Sequence, residues 1–171
     1  MALFGRRERP PADIVDRLDG DERVVSWADT AAGTWVVATS LGLWWPFPED
    51  HRRMAWQHLD KVVWRDGVIT VTEALVVVDE LLVDRAPVAA RLTVPRDLPP
   101  VVRKRVEGNI VRRELVSVTG GAVRFVARKQ PGRDGVTWWA RLEPGTPDTV
   151  PVRAAIRARL EILRSQDPSA V

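Results

Sequence analysis

The two histidines are the side chains in this sequence best suited to acid–base catalysis or metal binding. His51 and His58 lie near Glu49, Asp50 and Asp60, a set that could bind a metal ion or transfer a proton. However, seven residues of extended strand span about 23 Å, too far for one shared site unless the chain bends between them. We therefore expect surface or turn histidines rather than a catalytic or metal site.

No other motif in the sequence predicts catalysis. The sequence has no Gly-x-Ser-x-Gly, no Gly-x-Gly-x-x-Gly and no Gly-x-x-x-x-Gly-Lys-Ser/Thr, which are the spacings of common nucleophile and nucleotide sites. It also has no cysteine, so thiolate chemistry, cysteine-bound zinc and disulfides are excluded. The sequence thus predicts a protein that is not an enzyme and that holds neither a cofactor nor a metal.

A tryptophan and three arginines form the first candidate for a binding surface. Side chains alternate between the two faces of a strand, so Trp139 and Arg141 share one face if Trp138 lies in the core. The preceding strand would add Arg124 and Arg128 to that face. Such a surface could stack on nucleic-acid bases or bind phosphate groups. Alternatively, the C-terminal helix covers Trp139, and the arginine stems surround it.

The pair Trp44 and Trp45 raises the same question at the end of another strand. One of the two must point away from the core, and Pro46-Phe47-Pro48 follows directly. An exposed aromatic residue beside prolines is typical of a protein-contact edge, although a loop folded back on the sheet would also fit. The candidate partner-binding residues are therefore Arg124, Arg128, Trp139, Arg141, Trp44 and Trp45.

The basic residues differ in kind and in distribution from those of an average protein. Of the 26, 23 are arginine, a bias typical of a high-GC bacterial genome. Residues 1–95 carry a net charge of −4, and residues 96–171 carry +7. Opposite charges of this kind favour a polar partner surface, including self-association, or the neutralisation of the two halves within one fold.

The elements that would position these residues are mostly β-strands. Six of the eight tryptophans lie between Trp27 and Trp64, in segments with strand-like alternation. The pair Asp66-Gly67 predicts a hairpin turn. Helices are predicted at 97–110, with Asp97 as the N-cap and apolar residues every four positions, and at about 149–165, with an apolar stripe of Val152, Ile156, Leu160 and Leu163. The order of strands, helix, strands and helix predicts an α+β fold of mainly antiparallel sheet.

Several boundaries remain open on the sequence alone. Segment 53–64 is either one long strand or a bent pair of strands, and segment 41–45 is expected to extend the strand before it. The predicted organisation is a flexible leader (1–12), a single α+β domain (13–166, with a possible sub-boundary near 111–113) and a flexible tail (167–171).

Three short patterns between residues 20 and 110 match a known family. They are Gly20-Asp21-Glu22-Arg23-Val24-Val25 at the start of a strand, the Thr-x-x-x-Leu pattern of Val37-Ala38-Thr39-Ser40-Leu41-Gly42-Leu43 at the end of a strand pair, and Arg53-Met54-Ala55-Trp56-Gln57-His58-Leu59-Asp60-Lys61-Val62. In these patterns the chain resembles the bacterial pleckstrin-homology-like and GRAM-like domains. The resemblance implies a partly open β-barrel closed by one helix. The block after Arg112 lies outside it.

The resemblance also implies a binding module that contacts proteins, peptides or lipid headgroups. We therefore expect a non-enzymatic cytoplasmic module whose partner is another protein or a second copy of the chain. The alternative is a nucleic-acid or anionic-lipid binder that uses the basic hairpin face. The start of the chain lacks a signal-peptide pattern, and no apolar run is long enough for a transmembrane helix.

Overall fold

The computed structural model describes residues 10–170, except for the side chain of Asp79. Most of the leader predicted at residues 1–12 therefore lies outside the described residues. Within the described range the fold is α+β, with antiparallel strands that curl into a half-barrel and with a mid-chain and a C-terminal helix. The predicted fold class is confirmed.

The larger of two sheets contains the strands of the first part of the chain. They are β1 (Val24–Thr30), β2 (Trp35–Thr39), β3 (Gly42–Pro46), β4 (His51–Ala55), β5 (Leu59–Arg65), β6 (Val68–Val76), β7 (Leu82–Asp84) and β8 (Val88–Val94). Their order is β4-β3-β2-β1-β8-β6-β5, and β7 pairs with β6. β4 and β5 are consecutive in sequence, yet they end the sheet on opposite sides.

The smaller sheet follows the mid-chain helix. Its strands are β9 (Ile110–Val118), β10 (Gly121–Lys129) and β11 (Val136–Leu142), in the order β11-β10-β9. The described helices are α1 (Ala12–Val15), α2 (Leu98–Asn109) and α3 (Val150–Gln166), with short 3₁₀ turns at Trp56–His58 and Val78–Glu80.

α2 packs on the core-facing side of the larger sheet. Its first turn contains Pro99 and Pro100, which are tolerated there because the N–H groups of a first turn have no intrahelical partner. Leu98, Val102 and Val106 are buried in one cluster with sheet residues. Asp97 precedes the helix as predicted, but its carboxylate accepts a hydrogen bond from the Ser26 hydroxyl instead of capping the helix.

α3 covers one face of the smaller sheet with the apolar stripe that its sequence predicts. Val152, Ile156, Leu160 and Leu163 are buried against β10 and β11. The residues after the helix also belong to this core. The Trp138 indole N–H donates to Asp167 at 3.0 Å, and the backbone N–H of Val136 donates to Ser169 O at 2.7 Å. Residues 167–170, predicted as a tail, are thus hydrogen bonded to the smaller sheet.

The other face of the smaller sheet packs on the larger sheet. Val126 and Trp139 of the smaller sheet form a buried cluster with Ala74 of β6 and Leu82 of β7. The sequence predicts a possible sub-boundary near 111–113; in the structure the larger sheet ends with β8, α2 follows, and the smaller sheet begins with β9 at Ile110. The two sheets nevertheless share this core.

Two element boundaries differ from the sequence prediction, for local reasons. Segment 41–45 does not extend β2: Thr39 Oγ1 accepts hydrogen bonds from the N–H groups of Leu41 and Gly42, which forms a tight turn before β3. Segment 53–64 is the bent pair, because a 3₁₀ turn at Trp56–His58 separates β4 from β5.

Candidate functional site

The basic hairpin face predicted from the sequence lies mostly inside the protein. The alternation is as predicted, with Trp138 and Phe125 on the α3 side and Trp139 and Arg128 on the opposite side. However, Trp139 is only 4% exposed and Arg128 is 0% exposed. The larger sheet, rather than α3, covers this face. Trp139 and Arg128 are therefore not available to a partner in this structure.

Arg128 connects the two sheets through a charged network. Its guanidinium donates to the carbonyl oxygens of Gln57 and Leu59 at 3.1 and 2.9 Å, and to the Asp60 carboxylate at 2.6 Å. Burial lowers the pKa of Arg128 from its usual value, while Asp60 opposes that shift. Arg141 also bonds to Asp60, at 3.3 Å. This network explains how a buried cation is tolerated, because the charge is paired and hydrogen bonded.

The remaining predicted residues also have partners within the chain. Arg141 forms a second ion pair with Asp84, and Arg124 pairs with Glu143 at 2.8 Å. The Arg141–Asp84 pair lies at the margin of the contact between the two sheets, and the Arg124–Glu143 pair lies within the β10–β11 hairpin. Neither arginine is buried, but their charges are already neutralised within the protein.

Trp44 and Trp45 lie in the larger sheet. Trp45 is 3% exposed and belongs to the core beneath α2. The Trp44 indole N–H donates to Glu22 at 3.1 Å. The Glu22 carboxylate is fully buried and also bonds to Thr39 and Arg53, at 2.5 Å each. The outward-pointing tryptophan is thus part of a buried hydrogen-bond network.

The two histidines lie beside different aromatic rings. His51 is 5.7 Å from Trp35 between ring centroids, and His58 is 6.1 Å from Trp139. Burial lowers the pKa of His58; Glu73 opposes this shift and Arg128 adds to it. Among the described residues no cluster of three or more His, Cys, Asp or Glu side chains could hold a metal ion.

A groove at the free edge of β5 is the strongest candidate for a binding site. The sheet order leaves β5 paired only with β6. Every edge strand presents backbone N–H and C=O groups with no partner strand, and these groups can accept another chain. Val63 and Trp64 are 39% and 41% exposed there. Large apolar side chains beside an open strand edge favour a contact with another protein.

The register of the β5–β6 hairpin identifies which backbone groups are free. Asp66 and Gly67 form its two-residue turn, with φ of 50° and 76°, and Arg65 pairs with Val68 next to it. A two-residue turn is closed by a pair that exchanges two hydrogen bonds, and such pairs alternate with unbonded ones. The N–H and C=O groups of Val62 and Trp64 therefore point away from β6.

A cavity of about 550 Å³ lies between this edge and α2. Its lining residues are Val62, Val63 and Trp64 of β5, Pro95 and Arg96 of the β8–α2 connection, and Pro99, Pro100, Arg103 and Glu107 of α2. Val62 and Trp64 share the core-facing side of β5, because their partners in β6 are the buried Val71 and Ile69. We call this cavity and the free edge of β5 the edge groove.

The edge groove differs in its ion pairs from the corresponding gap at β9, an edge strand of the smaller sheet. Ion pairs bridge β9 to the C-terminal helix region, Glu114 to Arg159 at 2.5 Å and Arg112 to Asp167 at 2.7 Å. Within residues 10–170 no ion pair joins α2 to β5. Instead, Arg103 pairs along α2 with Glu107.

Positive charge predominates around the edge groove. The cations are Lys61, Arg65, Arg96 and Arg103, and the acids are Asp29, Asp66 and Glu107. Arg65 pairs with Asp66 at 3.3 Å and Arg103 with Glu107 at 2.7 Å, whereas Lys61 has no ion pair among the described residues. Arg96 is held by Asp29 at 2.8 Å and lies 5.0 Å over the ring of Trp27. Lys61 and Arg65 extend from the face of β5 opposite Val62 and Trp64. An incoming strand would therefore meet an apolar face and a second face on which Lys61 and Arg65 flank Val63.

The sequence contains part of the signal for this site. Asp66-Gly67 predicts the hairpin, and the strand before it ends in Val62-Val63-Trp64. Sequence reasoning missed the edge groove because no local pattern shows which strand ends a sheet.

Comparisons with protein-family models, with curated proteins and with solved structures found no match. The resemblance to pleckstrin-homology-like and GRAM-like domains therefore remains a prediction from the sequence pattern. Among the described residues, no helix combines the length and apolar character that crossing a membrane would require.

Proposed function

We propose that this protein is a non-enzymatic binding module that takes an extended segment of another protein as an additional strand on β5. The observation that carries the proposal is the free edge of β5 beside an apolar cavity at α2. Strand addition gains affinity from main-chain hydrogen bonds and specificity from alternate side chains. A cytoplasmic location is part of this proposal, because a chain without cysteine needs no oxidising compartment.

The two faces of β5 define the chemistry of the partner segment. Side chains that face the cavity would pack on Trp64 and on the prolines of α2, so they should be apolar. The alternate side chains would lie beside Lys61 and Arg65, so they should be acidic. The free stretch Lys61–Arg65 accommodates about five residues, or roughly 17 Å of extended chain. The proposed ligand is a short segment of alternating apolar and acidic residues.

A peptide library tests this proposal. The probes are acetylated, amidated heptapeptides in which apolar and acidic residues alternate, and their binding is measured by fluorescence anisotropy. The Trp64→Ala variant should lose binding, because it removes the exposed wall of the edge groove. The matched control is Leu115→Ala, which truncates a 62% exposed apolar residue on β9 and should bind like the wild type.

Backbone methylation of the best peptide then identifies the binding mode. N-methylation removes a donor, so it should abolish binding at every second position and have little effect between them. Two results would overturn the proposal: binding by no library member above a scrambled peptide, or methylation effects without a period of two. A stable dimer that occupies the β5 edge would instead identify a second copy as the occupant.

A further inference from the structure

A second cavity lies on the opposite flank of α2 from the edge groove. Its volume is about 540 Å³. Its lining residues are Val25, Trp56, Val101, Lys104, Arg105, Gly108, Asn109, Lys129, Gln130, Pro131 and Arg133. We propose that this cavity, the cationic pocket, binds a phosphate-bearing small molecule. The proposal is independent of strand addition at β5.

Four cations and no carboxylate line the cationic pocket. Lys104 and Arg105 belong to α2, whereas Lys129 and Arg133 belong to the end of β10 and the loop after it. Within the described part of the chain these four side chains form no ion pair. Most other arginines here are neutralised by a carboxylate, as Arg103 is on the other flank of α2. The unneutralised charge favours an anionic ligand.

Asn109 provides a second, independent indication of a ligand. It is the last residue of α2, it lines the pocket, and it is only 6% exposed. Its side-chain Nδ2 is buried and has no hydrogen-bond partner among the described residues. A buried donor without a partner is rare in folded proteins and requires an explanation. A rotation of the Asn109 side chain would bring this amide to a phosphate oxygen in the pocket, which would accept its hydrogen bond.

The apolar wall of the pocket indicates that the ligand is organic. Trp56 is buried beneath the pocket, with the Arg105 guanidinium 6.0 Å over its ring. Val25, Val101 and Pro131 complete the apolar part of the lining. A phosphate group at the cations would thus leave its carbon-bearing part against this wall. A volume of about 540 Å³ falls within the range of small-molecule sites.

The pocket is built only when both sheets are in place. α2 packs on the larger sheet, whereas Lys129 and Arg133 belong to the hairpin of the smaller sheet. The Gly132 backbone also approaches the turn before β3: a Cβ placed on it would lie 3.9 Å from the Leu41 side chain. The cations are therefore held around one site by the tertiary fold, not by a single helix end.

Isothermal titration calorimetry of the full chain tests the proposal, with adenosine diphosphate and inorganic pyrophosphate as soluble probes. We expect saturable binding with one site per chain. Lys129→Glu should weaken it about tenfold or more, because a charge-assisted hydrogen bond is replaced by repulsion. The matched control is Lys61→Glu, which changes the net charge equally but lies on β5, and it should change the affinity less than about twofold.

Flotation with phosphatidylglycerol vesicles distinguishes a lipid headgroup from a soluble phosphate. Suppose that the protein binds the vesicles but neither soluble probe, and that Lys129→Glu abolishes this binding. The proposed phosphate site would then stand, and its ligand would be a lipid headgroup. Equal weakening by Lys129→Glu and Lys61→Glu would overturn the proposal, since it would show unspecific attraction to net charge. So would an absence of binding to all three probes. The Trp64→Ala variant should bind these phosphate probes with wild-type affinity. Failure of the cationic pocket can therefore be distinguished from failure of the edge groove.

Discussion

The contact between the two sheets predicts a large stability loss for Trp139→Ala. This side chain is 4% exposed and packs on Ala74, Leu82 and Val126. A buried tryptophan removes roughly 150–250 Å² from water, which at about 25 cal/mol per Å² is an upper bound of about 4–6 kcal/mol. Measured truncations of buried aromatic residues cost about 3–5 kcal/mol. We therefore expect the free energy of unfolding to fall by about 3–5 kcal/mol.

Urea unfolding followed by far-UV circular dichroism measures this loss. For a chain of this size the melting temperature should fall by about 2–4 °C per kcal/mol, so a decrease of roughly 6–20 °C should accompany it. The control is Trp64→Ala, in which a 41% exposed side chain is truncated and at most about 1 kcal/mol should be lost. Equal losses in the two variants would refute the packing of the smaller sheet on the larger one.

Three further variants test other parts of the fold. Burial lowers the pKa of His58 in the folded protein from its usual value of 6.5. The stability that the neutral side chain contributes above pH 6.5 should therefore be lost as the pH falls through the lower folded-state pKa. His58→Gln should flatten this part of the melting-temperature profile, and an unchanged profile would contradict the argument. Gly42→Ala should destabilise the protein by about 1–3 kcal/mol, because its Cβ would clash with the backbone oxygen of Met54. Gly20→Ala, with open space around it, should show no comparable loss in urea. Glu22→Gln should cost about 1–3 kcal/mol in the same assay, since it weakens a buried charged network, and a neutral effect would show that the network is dispensable.

The local elements of this fold could be predicted from the sequence. The turn predicted at Asp66-Gly67 is found there. Both residues have positive φ, which glycine adopts without steric cost. The apolar stripe of α3 and the alternation around Trp138 and Trp139 are also as predicted. These features depend on residues close together in the chain, so the periodicities of helix and strand predict them.

The environment of those elements could not be predicted in the same way. The alternation shows that Trp139 and Arg128 share a face, but only the packing of two sheets shows that this face is buried. Similarly, no local signal distinguishes β5, at the edge of its sheet, from β8 in the interior. Asn109 is an ordinary helix-end residue in the sequence, and its unpaired amide appears only once the surrounding cavity is built.

Amide hydrogen exchange along β5 tests most directly the claim that this edge is open for another strand. In the free protein the amides of Val63 and Arg65, which bond to β6, should exchange slowly, whereas those of Val62 and Trp64 should exchange fast. A bound alternating peptide should slow Val62 and Trp64 specifically. Slow exchange at both in the free protein, or no slowing at either with peptide bound, would contradict the account.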